Sequence, residues 1–210
     1  MYYFTSNRQK EKILSICFGN NNCIWIESIA GMGGTTLMKF MCDELQLKSF
    51  SVKKIEFYNL IKNIQTDQSA LLQQEIISID GFQNIYDEET ESISLLEQFL
   101  INFFKKGGRL IVKANPTKNM VRFKQFISGH QYHKILLHRM NKKVKKRLLN
   151  NIVKEFNINW EENDIETILS LEFSNYRVFE NIFLIASAKA TLQGKMLSKE
   201  MILDMYKEWR

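Results

Sequence analysis

The sequence predicts an α/β domain with a mainly parallel sheet over residues 1–140, followed by a small all-helical domain over residues 141–210. Three observations carry that expectation. Short apolar, β-rich runs alternate with segments of helical spacing through the first two thirds of the chain, as βαβ units do. A glycine-rich turn joins the first of those runs to the helical segment that follows it. Beyond about residue 140, every segment with apolar periodicity has the helical period.

Taken in order, SNRQKEKILSICFG (6–19) reads as a short helix capped by Ser6 and closed near Gly19. CIWIES (23–28) is the first strand. TTLMKFMCDELQ (35–46) has helical spacing, with Leu37, Met41 and Leu45 on one face. VKKIEFY (52–58) is the second strand, and EIISIDGF (75–82) the third, apolar up to Asp80. ETESISLLEQFLINFFKK (89–106) is an amphipathic helix ended by Gly107 and Gly108. RLIVKAN (109–115) is the fourth strand, stopped by Pro116, and HKILLH (133–138) the fifth. Four helices follow, over 141–158, 162–172, 175–193 and 198–209.

Composition narrows the class. The chain has 210 residues and is 45% hydrophobic, enough for a sizeable core. Its net charge of +6 is compatible with a nucleic acid or another anionic partner without requiring one. Cys17, Cys23 and Cys42 are odd in number and form no CxxC pair, so a disulfide framework is not expected. No run approaches the ~18 apolar residues of a membrane span, and the N-terminus lacks the apolar run of a signal peptide. The expectation is a soluble, cytoplasmic protein without a membrane partner.

The stretch SIAGMGGTTLMKF (28–40) almost spells a phosphate-binding loop. Such a loop works because successive backbone N–H groups point inward at the start of a helix, and glycines allow the tight turn. Laid on the pattern GxxxxGK[ST], Ser28 takes the first glycine, Gly33 the second, Gly34 the lysine and Thr35 the metal-ligand hydroxyl. Gly31 adds a further turn glycine, and Thr36 follows. A strand before and a helix after are the context the loop needs. Alternatively, this is a glycine-rich turn that binds nothing. Loss of one charge-assisted contact costs roughly 1.5–3 kcal/mol, so binding would be weakened rather than abolished. Asp80, at the carboxyl end of a buried strand, can hold magnesium through water. Equally, it can be the turn residue of an Asp-Gly pair.

The order of these pieces resembles the AAA+ module of the DnaA family of bacterial replication initiators, including its short homologue Hda. FTSNR (4–8) resembles the family's opening segment. SIAGMGGTTLMKF sits at Walker A, and IISIDGFQNI (76–85) resembles a Walker B of the type LLIDDIQFL. RLIVKANPT (109–117) lies where sensor 1 follows the fourth strand, with Asn115 as its polar tip. SNYRVFENIF (174–183) resembles the sensor 2 segment SNVRELEGAL and places Arg177 at the sensor arginine. The resemblance covers nearly the whole chain. It implies a P-loop AAA+ fold, with a five-stranded parallel sheet flanked by helices and a helical lid. It also implies a nucleotide seat of Gly31, Gly33, Gly34, Thr35, Thr36, Asn115 and Arg177, with magnesium at Asp80 through water.

The departures from the family pattern point one way. Gly34 replaces the Walker A lysine, and Gly81 replaces the second Walker B acid, the residue that activates water. FISGHQYHK (126–134), where the arginine finger belongs, has no arginine, and Arg122 is nearby but poorly aligned. The family's C-terminal DNA-binding domain is not expected, nor is the clamp-binding motif that Hda carries. The expectation is therefore a non-catalytic or weakly nucleotide-binding regulatory module in replication initiation, with no certain cofactor and at most weakly held ATP or ADP with magnesium. Its partner would be an AAA+ or replication protein. Two alternatives stay open: an ATPase completed in trans by a partner's arginine, and an adaptor in an unrelated process.

HRMNKKVKKRLL (138–149) carries Arg139, Lys142, Lys143, Lys145, Lys146 and Arg147. Helical spacing puts Met140, Val144, Leu148, Ile152 and Phe156 on the buried side and the basic residues outside. That face is either solvated or a footprint for DNA, RNA or an acidic protein. His130, His133 and His138 straddle a loop and a strand, which does not favour a shared metal. Trp25 belongs in the core; Trp160 and Trp209 flank helices of the second domain, and Trp209 is a candidate interface residue.

Overall fold

A computed structural model describes residues 7–87, 90–117, 120–137, 140 and 142–209. Ser6, most of the segment FTSNR, His138 and Arg139 lie outside the described residues. The elements in chain order are α1 (Asn7–Cys17), β1 (Cys23–Ser28), α2 (Gly34–Leu47), β2 (Val52–Glu56), α3 (Phe57–Leu72) and β3 (Ile76–Asp80). A 3₁₀ turn (Phe82–Asp87) leads to α4 (Thr90–Lys105), β4 (Arg109–Ala114), α5 (Val121–Ser128) and β5 (Tyr132–Leu137). Helices α6 (Lys142–Glu155), α7 (Glu162–Ser170), α8 (Tyr176–Leu192) and α9 (Lys199–Trp209) complete the chain.

The five strands form one sheet in the order β2-β3-β4-β1-β5, and every pairing is parallel. Parallel strands covered on both faces are apolar over most of their length, and the interior strands β1, β3 and β4 are so, with polar residues chiefly towards their ends. Alternation then sorts their side chains. Cys23, Trp25, Ile77, Ile79, Leu110 and Val112 face a core shared with α3, α4 and α5. Ile24, Ile26, Ile76 and Ile111 face a second core with α1 and α2, where Leu37, Met41 and Leu45 meet them. The edge strand β2 exposes Lys53, Lys54 and Glu56, which discourages pairing with another chain.

Two helices were not expected. The second strand stops at Glu56 rather than reaching Tyr58, because Phe57, Leu60, Ile61 and Ile64 recur at helical spacing and all are buried. Helix α5 is only eight residues long and fully buries Phe123 and Ile127, too short a segment to stand out. The strand and helix boundaries that were expected otherwise shift by only a few residues.

The chain divides into two compact units, residues 1–138 and 139–210. The second is a four-helix cluster around Leu148, Leu149, Ile168, Phe179, Ile182, Phe183 and Ile202. Phe179 packs edge-on to Phe173 and 5.0 Å from Phe183. Asn175 caps α8, its side chain accepting from the Val178 N–H at 2.9 Å. Val144 and Leu148 are buried as expected, but Phe156 is 40% exposed because α6 ends one residue before it.

Candidate functional site

The first strand delivers the chain to the carboxyl edge of the sheet at Ser28, and α2 leaves from there. Gly31 (φ 78°) and Gly33 (φ 83°) both take left-handed conformations that non-glycine residues resist. The cap of α2 is Gly33, which has no side chain to offer. The first bond of the helical ladder is Leu37 N–H to Gly33 O at 2.8 Å. The N–H groups of Gly34, Thr35 and Thr36 therefore have no acceptor in the helix and stand at its positive end. The loop is shaped to receive an anion.

Position 34 is where steric facts decide. A Cβ added to Gly34 would lie 2.5 Å from Ser28 Cβ and 2.6 Å from Ser28 Oγ. Ser28 is fully buried, and its hydroxyl donates to the Ile29 carbonyl at 3.0 Å. A lysine at 34 does not fit beside a serine at 28. The two departures from the loop pattern are thus one exchange: the side chain added at the first position occupies the space vacated at the seventh.

Asp80 leaves β3 at the same edge, accepts two hydrogen bonds and holds a third, charged partner. The Thr35 hydroxyl donates to Oδ2 at 2.8 Å, and the Gly81 N–H donates to Oδ1 at 2.8 Å. The third is Lys113 of β4, whose Nζ lies 3.4 Å from Oδ1. Lys113 is paired with Asp80 in the β3–β4 register, and its side chain is only 14% exposed. Its Cγ is 3.3 Å from the point where a Cβ on residue 34 would be. Gly81 (φ 75°) occupies the position after Asp80, so this turn carries the Asp-Gly geometry and no second carboxylate.

The fit to a metal can be read from these partners. Thr35 and Asp80 supply hard oxygen ligands of the kind magnesium takes. The carboxylate, however, already holds an ammonium. Two unit positive charges about 4 Å apart repel by ~4 kcal/mol in a partly screened site, and a divalent ion doubles that. With Lys113 in place, the arrangement fits an anion in the loop and does not fit a magnesium ion at Asp80.

The other expected residues fall in several places. Asn115 follows β4 beside the loop edge; its N–H donates to Gln83 Oε1 at 3.1 Å. Its buried carboxamide oxygen has no hydrogen-bond partner among the described residues. Arg177 belongs to the helical unit and is exposed in the first turn of α8. A cation there opposes the helix dipole, so helix stability does not explain it. Arg122 is engaged, not extended: its Nε and Nη2 donate to the two Glu97 oxygens at 2.8 and 2.7 Å. The basic run of α6 does not form one face. Lys142 and Lys146 both approach Glu166 at 3.7 Å, while Lys143 and Arg147 are exposed. Lys145 turns inward, donating to the Leu171 carbonyl at 2.9 Å and lying over the Phe173 ring. Burial, and then Lys142, lower its pKa. His130 packs between Phe104 and Phe126, and Trp25 packs edge-on to Phe123, with Lys134 over its ring.

Sequence reasoning passed over Lys113 and gave Ser28 no role. One signal for Lys113 existed: a charged residue two before Asn115, inside a strand otherwise apolar enough to be central. Nothing in the linear sequence places it against residue 34.

No protein-family model matches the chain, and no curated protein matches it in sequence. Solved structures do match. Domain III of the Thermotoga maritima replication initiation protein DnaA aligns with a TM-score of 0.72 at 12% identity, over 98% of this chain and 94% of that one. The replication initiator DnaA bound to AMPPCP and single-stranded DNA aligns at 0.66 and 15% identity, over 86% of this chain and 59% of that one. The Thermotoga maritima RuvB Holliday junction branch migration motor aligns at 0.70 and 14% identity, over 96% of this chain and 68% of that one. This chain spans 60% of the length of a DNA replication initiation factor that it also matches. At these identities the likeness is one of fold. The five-stranded parallel sheet and its flanking helices are those of the AAA+ P-loop fold.

Proposed function

We propose that this chain is a DnaA/Hda-like AAA+ module that does not hydrolyse ATP and serves as a regulatory or interaction module in the initiation of bacterial DNA replication. It works by docking against another AAA+ or replication protein. Nucleotide, where it binds, is a weakly held ligand rather than a fuel. The observation that carries this reading is the set of partners around Asp80. Its carboxylate is engaged by Thr35, Gly81 and Lys113, and the position where the family has its water-activating acid is Gly81. Hydrolysis requires a positioned water and charge stabilisation at the transferring phosphate. The substitutions at 34 and 81 remove the groups that provide them. The DnaA structures among the matches, one bound to AMPPCP and single-stranded DNA, support the replication setting. Contact with DNA would use exposed basic residues of α6 such as Lys143 and Arg147.

The test is ATP turnover by the full chain with magnesium, beside the Asp80→Ala variant. The expected result is no turnover above background in either. A rate in the unaltered chain that Asp80→Ala abolishes would overturn the reading. That outcome would favour an ATPase completed in trans by a partner's arginine, with Thr35, Asp80, Asn115 and Arg177 in their family roles. The carboxamide oxygen of Asn115, without a hydrogen-bond partner among the described residues, and the exposed Arg177 at the head of α8 are what favour this second reading. Affinity capture dominated by proteins outside replication would point instead to an adaptor that inherited the fold.

A further inference from the structure

We propose that Lys113 supplies from β4 the positive charge that the glycine loop lacks at position 34, so that the loop takes the diphosphate group of a nucleotide without a magnesium ion. This rests on the reading of the loop as a weak nucleotide site. Three observations converge on it. First, the loop keeps its anion-binding backbone, with Gly31 and Gly33 left-handed and the N–H groups of Gly34, Thr35 and Thr36 outside the helical ladder. Second, the stem of Lys113 runs past residue 34: its Cγ lies 3.3 Å from the site of the missing Cβ, and the side chain is 14% exposed. A lysine can enter this space from β4 because Gly34 leaves it open, while Ser28 bars one from α2. Third, the ammonium stands 3.4 Å from Asp80 Oδ1 while Thr35 holds Oδ2, so a cation already sits at the carboxylate where a metal would compete with it.

The exchange is of position rather than of chemistry. A lysine ammonium is a compact point charge on a flexible stem, and three donors let it satisfy a carboxylate and a phosphate oxygen together. Phosphate arriving at the loop would meet a cation already desolvated and held. It would also meet the negative charge of Asp80 beside that cation. The pair thus predicts weak binding that does not respond to magnesium, and binding that strengthens when the carboxylate is neutralised. A loop that uses magnesium at Asp80 predicts the reverse on both counts.

The experiment is calorimetric titration of the full chain with ADP, once in EDTA and once in magnesium chloride, with inorganic pyrophosphate as competitor. The expected result is an affinity equal within about twofold in the two buffers, with pyrophosphate displacing ADP. Lys113→Met should weaken binding by about tenfold or more, the scale of one charge-assisted contact, and Lys113→Arg should restore most of it. Asp80→Asn should tighten binding in EDTA. Melting curves of the unliganded variants report folding, and if Lys113→Met melts early the Asp80→Asn arm decides alone. Binding that requires magnesium, binding indifferent to Lys113→Met in a folded variant, or weaker binding by Asp80→Asn would each overturn the proposal. So would no ADP binding in either buffer, an outcome that leaves the non-hydrolysing docking module standing. Magnesium-dependent turnover would instead remove that broader reading.

Discussion

At position 34 a single methyl group decides what the loop can be. A Cβ there meets Ser28 at 2.5 Å, a contact with a buried strand residue that cannot swing away. Gly34→Ala is therefore expected to destabilise the chain by about 1–3 kcal/mol, the usual cost of overpacking. Ser28→Gly in the same chain removes the obstacle at about 0.5–1 kcal/mol for an added strand glycine. The double variant should then be more stable than Gly34→Ala alone, and urea denaturation of the four chains of the cycle measures the coupling. Additive effects would mean that the two positions do not share the space. Gly34→Lys should follow the same rule, tolerated only with Ser28→Gly.

At the scale of the element, helices α7 and α9 are joined by Lys199 Nζ to Asp164 at 2.5 Å. Asp164 also serves the capping box of α7, accepting from the Glu161 N–H. The hydrogen bond from Lys199 holds the Asp164 carboxyl below the usual carboxylate range. A group with a depressed folded pKa adds stability above its unfolded value, about 3.9 for an aspartate, and loses it as pH falls through the folded value. The melting temperature of the unaltered chain should thus exceed that of Asp164→Asn at neutral pH. The gap should close as the pH drops below about 4. A constant gap down to pH 2 would mean that the ion pair does not contribute. The same scale explains what α6 can do: Glu166 on α7 draws Lys142 and Lys146, and Lys145 turns inward, so the basic run is divided by tertiary contacts.

For the whole molecule, the cysteines report the integrity of the three layers. Cys17, Cys23 and Cys42 are buried and free. Burial pushes the Cys17 thiol up to about 12 and raises the other two as well. The thiolate is the reactive form, so at pH 8 the folded chain should react with an aromatic disulfide reagent only as fast as it opens. Denaturant should release all three thiols at once if the α/β unit unfolds cooperatively. Early reaction of Cys23 alone would place local opening at the start of β1.

Much of this architecture is written locally. Short apolar runs such as CIWI and LIV in RLIVKAN, set between helical segments, read as interior parallel strands, and Leu37, Met41 and Leu45 within TTLMKFMCDELQ read as one face of a helix. Those patterns determined the α/β class and the place of the glycine loop. Helix α5 is hard to read because it spans only eight residues, although Phe123, Phe126 and Ile127 fall at helical spacing; in α3, Phe57, Leu60, Ile61 and Ile64 set the same period. The sequence also named the residues that the loop lacks. Only the tertiary structure decided what stands in their place. The parallel register of β3 and β4 carries Lys113 to Asp80, and the start of α2 brings Gly34 against Ser28. Both contacts join segments that a linear pattern leaves apart, because strand pairing and side-chain volume act across space rather than along the chain.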